Sequence, residues 1–231
     1  MGPEVGRRII GAVVNTFSMS VDLDLEQPAQ AEEPESESQA VGFVTRLLAG
    51  PGVSILLMAI VSLATWTGVQ AGNVDPFVLQ APLTEDWWQL PLSVYSHSGM
   101  PHLTGNATMI SLFGSIAVYS SSVIRYHAFF LVTGMLAGAA QVLATGALGD
   151  PGTVLGASGA GMALMMYVLV SNDISSLLLN RVSRTVAAGL VVAAAIGITL
   201  QAAALQIANV AHFAGALIGG VAGYFHLLRA R

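Results

Sequence analysis

The sequence predicts an all-α polytopic membrane protein, a bundle of six transmembrane helices in which the fourth is short and recessed. Of its 231 residues, 54% are hydrophobic and only 9% are charged, whereas soluble domains carry about 25% charged residues. Six apolar segments follow one another after residue 50. The chain has no cysteine, which excludes disulfides and thiolate metal sites.

The first 45 residues differ from the rest of the chain. Eight of the 13 acidic residues lie within the first 37 positions, in a tract rich in Glu, Gln, Pro, Ser and Ala. Such a composition is typical of disordered segments, because it offers too little apolar surface to bury. We therefore predict a cytoplasmic, largely disordered acidic tail over residues 1–45 and a membrane domain over residues 46–231.

Five of the six spans are predicted from apolar stretches close to the roughly 20 residues that a helix needs to cross a bilayer. The tract 185–228 contains no Asp, Glu, Lys or Arg. As one helix it would be about 66 Å long, so it must form two spans with a turn near residues 206–209. The predicted spans are 53–71, 102–120, 126–148, 158–171, 186–205 and 210–228.

The fourth span is shorter than the others. It begins at Ser158 and loses its apolar character by residues 171–173. That length gives about 21 Å of helix against a hydrocarbon core of about 30 Å. One end must therefore lie below the membrane surface, next to a water-filled recess. Ser158 is at one of these ends.

The arginines predict the orientation. All eight basic residues are arginines, and with a cytoplasmic N-terminus all eight fall in inner segments, while the charged residues of the outer loops are all acidic. This distribution follows the positive-inside rule. We therefore predict a multi-pass protein of the cell membrane with both termini in the cytoplasm. His102, Ser158 and His212 then enter the membrane from the outer face.

Ser158 is the candidate nucleophile. Gly156 and Gly159 flank it and allow another helix or a substrate backbone to approach closely. At a helix N-terminus, free N–H groups would lie beside the hydroxyl and stabilise a developing negative charge. The alternative is a small packing residue that bonds to its own backbone.

His212 is the candidate general base. Gly215, Gly219 and Gly223 follow it on one helix face, and small residues at this spacing allow two membrane helices to pack closely. The glycine-rich start of the fourth span is the expected partner. That contact would bring the imidazole to the Ser158 hydroxyl, which needs a base to be nucleophilic at neutral pH. A hydrogen-bonded interior histidine is the alternative.

His102 and Asn106 are four residues apart and share one face of the second span. Both can donate hydrogen bonds, so we predict that they stabilise an oxyanion; a polar contact between helices is the alternative. We assign no chemistry to His97, in an outer loop, or to His127 and His226, near the inner face. No cofactor is implied, and no metal site, because such a site needs three or more convergent ligands.

Three motifs occur in order on the second, fourth and sixth spans: His102-x-x-x-Asn106, Gly156-x-Ser158-Gly159 and Ala211-His212-x-x-Gly215-x-x-x-Gly219. Together they resemble the rhomboid family of intramembrane serine proteases, over about residues 50–231. The resemblance implies that Ser158 is the nucleophile and His212 the base, with His102, Asn106 and the Ser158 N–H as the oxyanion hole. It also implies cleavage of a substrate's transmembrane helix near its outer end.

Two positions depart from the family pattern. The first outer loop carries Trp88-Gln89, where members often have Trp-Arg. Met162 stands four residues after the nucleophile, where many members have a tyrosine stacked on the histidine. Neither departure removes a reacting group.

The predicted function is that of an intramembrane serine endopeptidase. The expected partners are single-span or other membrane-protein substrates and the lipid bilayer, with no nucleic acid; the sequence indicates no oligomeric state. One alternative is a catalytically silent relative that binds membrane helices, although such relatives often lack the serine or histidine that this chain keeps. A transporter or channel is the other, but it would need polarity through the bilayer, whereas polarity here ends near the outer face.

Overall fold

The computed structural model describes residues 35–149, 152–203 and 209–229, and the regular structure in these ranges is helical. The helices are α1 Glu35–Leu47, α2 Val53–Gln70, α3 Gln89–Tyr95, α4 Met100–Met109, α5 Ser115–Tyr119, α6 Val123–Ala147, α7 Ser158–Ser171, α8 Asp173–Leu179, α9 Arg184–Ala203 and α10 Asn209–Tyr224. Two π-helical segments, Leu48–Gly52 and Ile110–Gly114, precede α2 and α5. Residues 1–34 of the predicted tail, and most of the turn predicted near 206–209, lie outside the described residues.

The chain divides into two units, of which the second is Ala40–Arg231. Residues 35–45, which the sequence analysis assigned to the tail, lie in α1. In the second unit, the Arg46 guanidinium donates to the Tyr119 carbonyl at 3.2 Å, and Phe43 meets the Tyr119 ring edge-on. Apolar and aromatic side chains thus follow the acidic tract and give this helix a packing surface. The disorder of residues 1–34 stays a prediction.

Helix length separates the predicted spans into two groups. Gln39–Gln70 and α6 are long and apolar enough to cross a membrane, whereas Ser158–Ser171 and Arg184–Gly197 are shorter apolar helices. The predicted second span is divided among α4, the π-helical segment Ile110–Gly114 and α5. The all-helical class is confirmed for the described residues, and the count of six spans stays a prediction.

α7 is the most enclosed of the helices around the candidate site. Ten of its 14 residues are buried, as expected for a helix that is apolar on every side. Its largest contact is with α10, and it also packs on α6. α7 ends at Ser171, whose carbonyl accepts a hydrogen bond from the Arg229 guanidinium at 2.9 Å. The same guanidinium pairs with the Asp173 carboxylate at 3.3 Å.

The contact between α7 and α10 is a close approach of two backbones. A Cβ atom at Gly215 would overlap the carbonyl oxygen of Gly159, and one at Gly219 would overlap that of Ala163. The small-residue face predicted from the spacing therefore packs on the helix predicted to be its partner. It fixes the register of the helix that carries His212.

Candidate active site

The backbone before Ser158 is held by two other segments of the chain. Val154 and Leu79 form an antiparallel pair with N–H to carbonyl distances of 3.0 and 2.9 Å. The Gly156 N–H donates to the Ser93 carbonyl at 2.8 Å. These contacts position the turn that leads into α7.

Gly156 is required in this turn for two reasons. Its φ of +119° is a backbone conformation that residues with a side chain rarely adopt. A Cβ atom here would also lie 2.7 Å from both Cε1 and Nε2 of His102 and 3.8 Å from Nδ2 of Asn106. The two predicted oxyanion donors therefore lie beside the turn that precedes Ser158.

The polar atoms of His102 and Asn106 differ in their local contacts. His102 Nδ1 lies 3.2 Å from Ser98 Oγ, and the Asn106 amide donates to the His102 carbonyl at 3.1 Å. His102 Nε2 is buried and has no hydrogen-bond partner among the described residues. Because Nε2 also faces Gly156, it is the atom most available to a group bound in the turn.

His97 is a site residue that the sequence analysis missed. Its side chain is 0% exposed, and Nε2 accepts a hydrogen bond from the Ala157 N–H at 3.4 Å. Nδ1 lies 3.2 Å from the Tyr95 carbonyl and 3.0 Å from Ser62 Oγ. The ring meets that of His102 edge-on, with 4.9 Å between centroids. His97 thus joins the residue before the candidate nucleophile to the candidate oxyanion donor.

The protonation of His97 is consistent with this contact. Burial, and after it the charge of nearby His102, lower the pKa of His97 to about 4. The ring is therefore neutral at physiological pH, and Nε2 is an acceptor only in the neutral form. The sequence analysis did not anticipate this contact, because Ala157 lies 60 residues from His97 and no local pattern relates the two.

Ser158 is the first residue of α7 and is half-buried. Among the residues that the structure describes, no side chain caps this helix end, and Ala157 before it has φ −79° and ψ 3°. The first turn of a helix has N–H groups without intrahelical partners. Ser158 therefore begins a turn whose N–H groups can stabilise negative charge.

His212 lies in the first turn of α10 and is only 2% exposed. Both ring nitrogens are buried and have no hydrogen-bond partner among the described residues. The neighbouring backbones meet, because a Cβ atom at Gly159 would lie 3.5 Å from the Ala211 carbonyl oxygen. The segments of Ser158 and His212 are therefore adjacent, without a hydrogen bond between the two side chains.

Besides Ser98 and His102, two serine–histidine pairs are hydrogen-bonded within the described residues. Ser62 lies 3.0 Å from His97 Nδ1, and Ser54 lies 3.5 Å from His127 Nδ1. Both serines are 0% exposed. His127 Nε2 also lies 2.7 Å from the Ala49 carbonyl, in the π-helical segment Leu48–Gly52. Their burial and backbone contacts make these pairs supports of the fold.

The two departures from the family pattern have defined surroundings. Gln89 is 1% exposed; its carbonyl accepts from the Gln80 N–H at 3.2 Å, and its amide donates to the Asp75 carbonyl at 3.0 Å and the Asp86 carboxylate at 3.4 Å. A neutral side chain therefore braces the loop between α2 and α3. Met162 is buried in an apolar cluster shared by α7, α9 and α10.

Comparison with known families agrees with these motifs. The family model of the Rhomboid domain matches residues 84–229, which is more than half of the chain and includes His102, Asn106, Ser158 and His212. The chain belongs to the rhomboid family. No curated protein matches the chain. Rhomboid proteins are generally serine proteases that act on membrane proteins within the bilayer, and this rhomboid protein is a multi-pass membrane protein.

Proposed function

We propose that this rhomboid protein is an intramembrane serine endopeptidase that cleaves transmembrane segments with a Ser158–His212 dyad. The observation that carries the proposal is the state of His212, which is buried with neither ring nitrogen hydrogen-bonded to any of the described residues. Buried polar groups in folded proteins nearly always have partners, so an exception needs a reason. A base that receives its proton during the reaction supplies that reason, and membership of the rhomboid family supports it.

In the proposed reaction, Ser158 Oγ attacks the carbonyl carbon of a peptide bond while His212 accepts the hydroxyl proton. His212 then gives this proton to the leaving amine as the carbon–nitrogen bond breaks. A water molecule, deprotonated by His212, hydrolyses the resulting acyl-enzyme and restores the serine. The missing Ser158–His212 hydrogen bond is compatible with this role, because such bonds often tighten only when substrate is bound.

The tetrahedral intermediate in this scheme carries its negative charge beside Gly156. His102 Nε2 faces that turn and has no hydrogen-bond partner in the described part of the chain, and we assign it as one oxyanion donor. The Ser158 N–H, at the uncapped start of α7, is the second. Asn106 is the third, and its amide would exchange its bond to the His102 carbonyl for the oxyanion. Donors preorganised at such a position supply a large share of catalysis in acyl transfer.

The proposal includes a membrane arrangement. Six spans with both termini in the cytoplasm put all eight arginines inside, and the site then opens to the outer face. α7 has 14 residues, about 21 Å of helix, so its start lies below the outer surface in this arrangement. A substrate helix must unwind locally to present a peptide bond, since helical carbonyls are occupied by intrahelical bonds.

The decisive experiment measures cleavage of a single-span reporter by the purified full chain in lipid vesicles. Wild type should release product, and Ser158→Ala and His212→Ala should release none while retaining the wild-type circular dichroism and thermal midpoint. Ser54→Ala is the matched control, because Ser54 belongs to a hydrogen-bonded serine–histidine pair, with His127, that we assign to the support of the fold. Wild-type cleavage by Ser158→Ala would contradict the proposal.

The orientation has its own test. The chain has no cysteine, so a single cysteine introduced at Glu85 or at Arg181 can be labelled without background. A membrane-impermeant maleimide should label the first from outside intact cells and the second only after lysis. The opposite pattern would reverse the assigned orientation.

A second candidate is a catalytically silent rhomboid protein that binds membrane helices. The observation in its favour is that no Ser158–His212 hydrogen bond is formed among the described residues. This candidate predicts no cleavage by wild type and no labelling of Ser158 by a serine-reactive phosphonate. It also predicts that Ser158→Ala leaves helix binding unchanged.

A further inference from the structure

Gln141 makes a contact that the serine-protease scheme does not use. Its side-chain carbonyl accepts hydrogen bonds from the Val210 N–H and the Ala211 N–H, both at 3.1 Å. These donors belong to the first turn of α10, where backbone N–H groups have no intrahelical partner. A side chain of α6 therefore caps α10 at the residues immediately before His212.

The same face of α6 also touches the segment that carries Ser158. Ala137 lies one helical turn before Gln141, and a Cβ atom at Gly159 would lie 2.5 Å from the Ala137 Cβ. One rigid helix thus contacts the residue after the candidate nucleophile and the residue before the candidate base. The spacing between Ala137 and Gln141 sets how far apart these two segments can be.

We propose that Gln141 is a positioning residue for His212, holding the start of α10 so that the imidazole faces the Ser158 hydroxyl. This role rests on the proposed function, since it concerns the geometry of the dyad. The Gln141 hydrogen bonds seen in the described part of the chain go to the backbone of Val210 and Ala211, so its proposed effect on His212 passes through that backbone. Without the cap, the two N–H groups lose their acceptor and the first turn of α10 can fray.

Three variants in the full chain separate positioning from simple stability. Gln141→Met keeps the length of the side chain but has no carbonyl acceptor. Gln141→Glu keeps an acceptor oxygen, which a helix N-terminus favours as a carboxylate. Thr133→Val is the matched control, because it removes a buried hydroxyl two turns earlier on α6. That hydroxyl donates to the Phe129 and Phe130 carbonyls of its own helix.

The readouts are reporter cleavage in vesicles, resolved into kcat and KM, and amide hydrogen exchange over residues 210–212. Gln141→Met should lower kcat by about 10- to 100-fold, the scale expected for a misplaced catalytic group, with KM little changed and exchange at 210–212 faster. Gln141→Glu should restore both quantities toward wild type. Thr133→Val should leave both at wild-type values even if its thermal midpoint falls.

Several results would overturn the proposal. One is wild-type kcat in Gln141→Met, and another is loss of kcat that Gln141→Glu does not reverse. If wild type and all variants cleave nothing while exchange at 210–212 still depends on position 141, the proposed function fails, and the cap is purely structural. Because exchange does not require catalysis, the two failures are distinguishable.

Discussion

The backbone before Ser158 and the helix that carries His212 are held by different kinds of contact. On the serine side, hydrogen bonds come from three places along the chain, at Leu79, Ser93 and His97. Each contact involves a different residue of the turn. The position of this turn is therefore shared among several bonds, and the loss of one leaves the others in place.

On the histidine side, α10 is held mainly by shape. Gly215 and Gly219 allow its backbone to touch that of α7, and the Gln141 cap adds a polar contact to its first turn. Tightly packed interiors tolerate added atoms poorly. A single added methyl group should therefore displace α10 and with it His212. The position of the turn before Ser158 should instead loosen gradually as its hydrogen bonds are removed.

Among substitutions outside the proposed dyad, the largest effect is expected from Gly215→Ala. The new Cβ would overlap the Gly159 carbonyl oxygen, which is backbone and cannot rotate away, so α10 must shift. We expect cleavage to fall by about 100-fold and the free energy of unfolding to fall by about 3 kcal/mol, the upper end of ordinary overpacking. Reporter cleavage and thermal midpoints check both.

Gly189→Ala is the control for that substitution. Gly189 is also helical, but a Cβ atom there meets nothing within 4 Å. It should keep wild-type cleavage and gain stability, because alanine exceeds glycine in helix propensity by about 1 kcal/mol. Equal behaviour of the two variants would contradict the close packing of α7 and α10.

A smaller effect is expected from Gly156→Ala on the serine side. Its φ of +119° adds strain of about 1–3 kcal/mol, and the new Cβ displaces the His102 ring. The ring is a side chain that can rotate, so cleavage should fall by less than in Gly215→Ala. Gly105→Ala on α4, where a Cβ atom has open space, is the matched control. A loss as large as that of Gly215→Ala would break the proposed asymmetry.

The third prediction concerns pH and His97. The pKa of His97 is about 4 in the folded chain, against an ordinary value of 6.5. Between these two pH values, His97 therefore binds a proton in the unfolded chain and not in the folded chain. The free energy of unfolding should therefore be highest above about pH 6.5 and fall as the pH is lowered toward 4, by up to about 3 kcal/mol. Unfolding midpoints between pH 4.5 and 7.5 measure this.

His97→Gln isolates the source of that pH dependence. The glutamine carbonyl can still accept from the Ala157 N–H, but it does not titrate in this range. The free energy of unfolding of the variant should depend less on pH than that of wild type. Its cleavage at neutral pH should change little, since the other contacts of the turn before Ser158 remain. An unchanged slope in His97→Gln would show that other groups cause the acid sensitivity.

Sequence reasoning was most successful where a regular spacing carries the information. Gly215 and Gly219 identified the contact face of α10 because small residues on one face of a membrane helix have a known packing consequence. Ser158 was placed at the first residue of α7 because the apolar stretch begins there. The His102 and Asn106 pair followed from the helical period and lies beside Gly156.

The residues that were missed act over long sequence separations. His97 meets Ala157 60 residues away, and Gln141 meets Ala211 70 residues away; no periodicity relates such pairs. Gln141 did leave a signal, because a polar side chain inside an apolar span is a functional candidate by default. His97 left none, since it lies in a loop between two helices.

The smallest effect is expected from Ser54→Ala. The Ser54 hydroxyl is hydrogen-bonded to His127, so by bonding alone it resembles a dyad more closely than Ser158 does. Yet it is 0% exposed, and it precedes the matched Rhomboid domain, which begins at residue 84. We expect unchanged cleavage and a loss of about 1 kcal/mol in unfolding free energy, the usual value for one hydrogen bond. The proposed nucleophile is distinguished by its partial exposure and by a base, His212, without a hydrogen-bond partner among the described residues, and not by an existing serine–histidine bond. Loss of cleavage in Ser54→Ala with a wild-type fold would therefore contradict the assignment of Ser158.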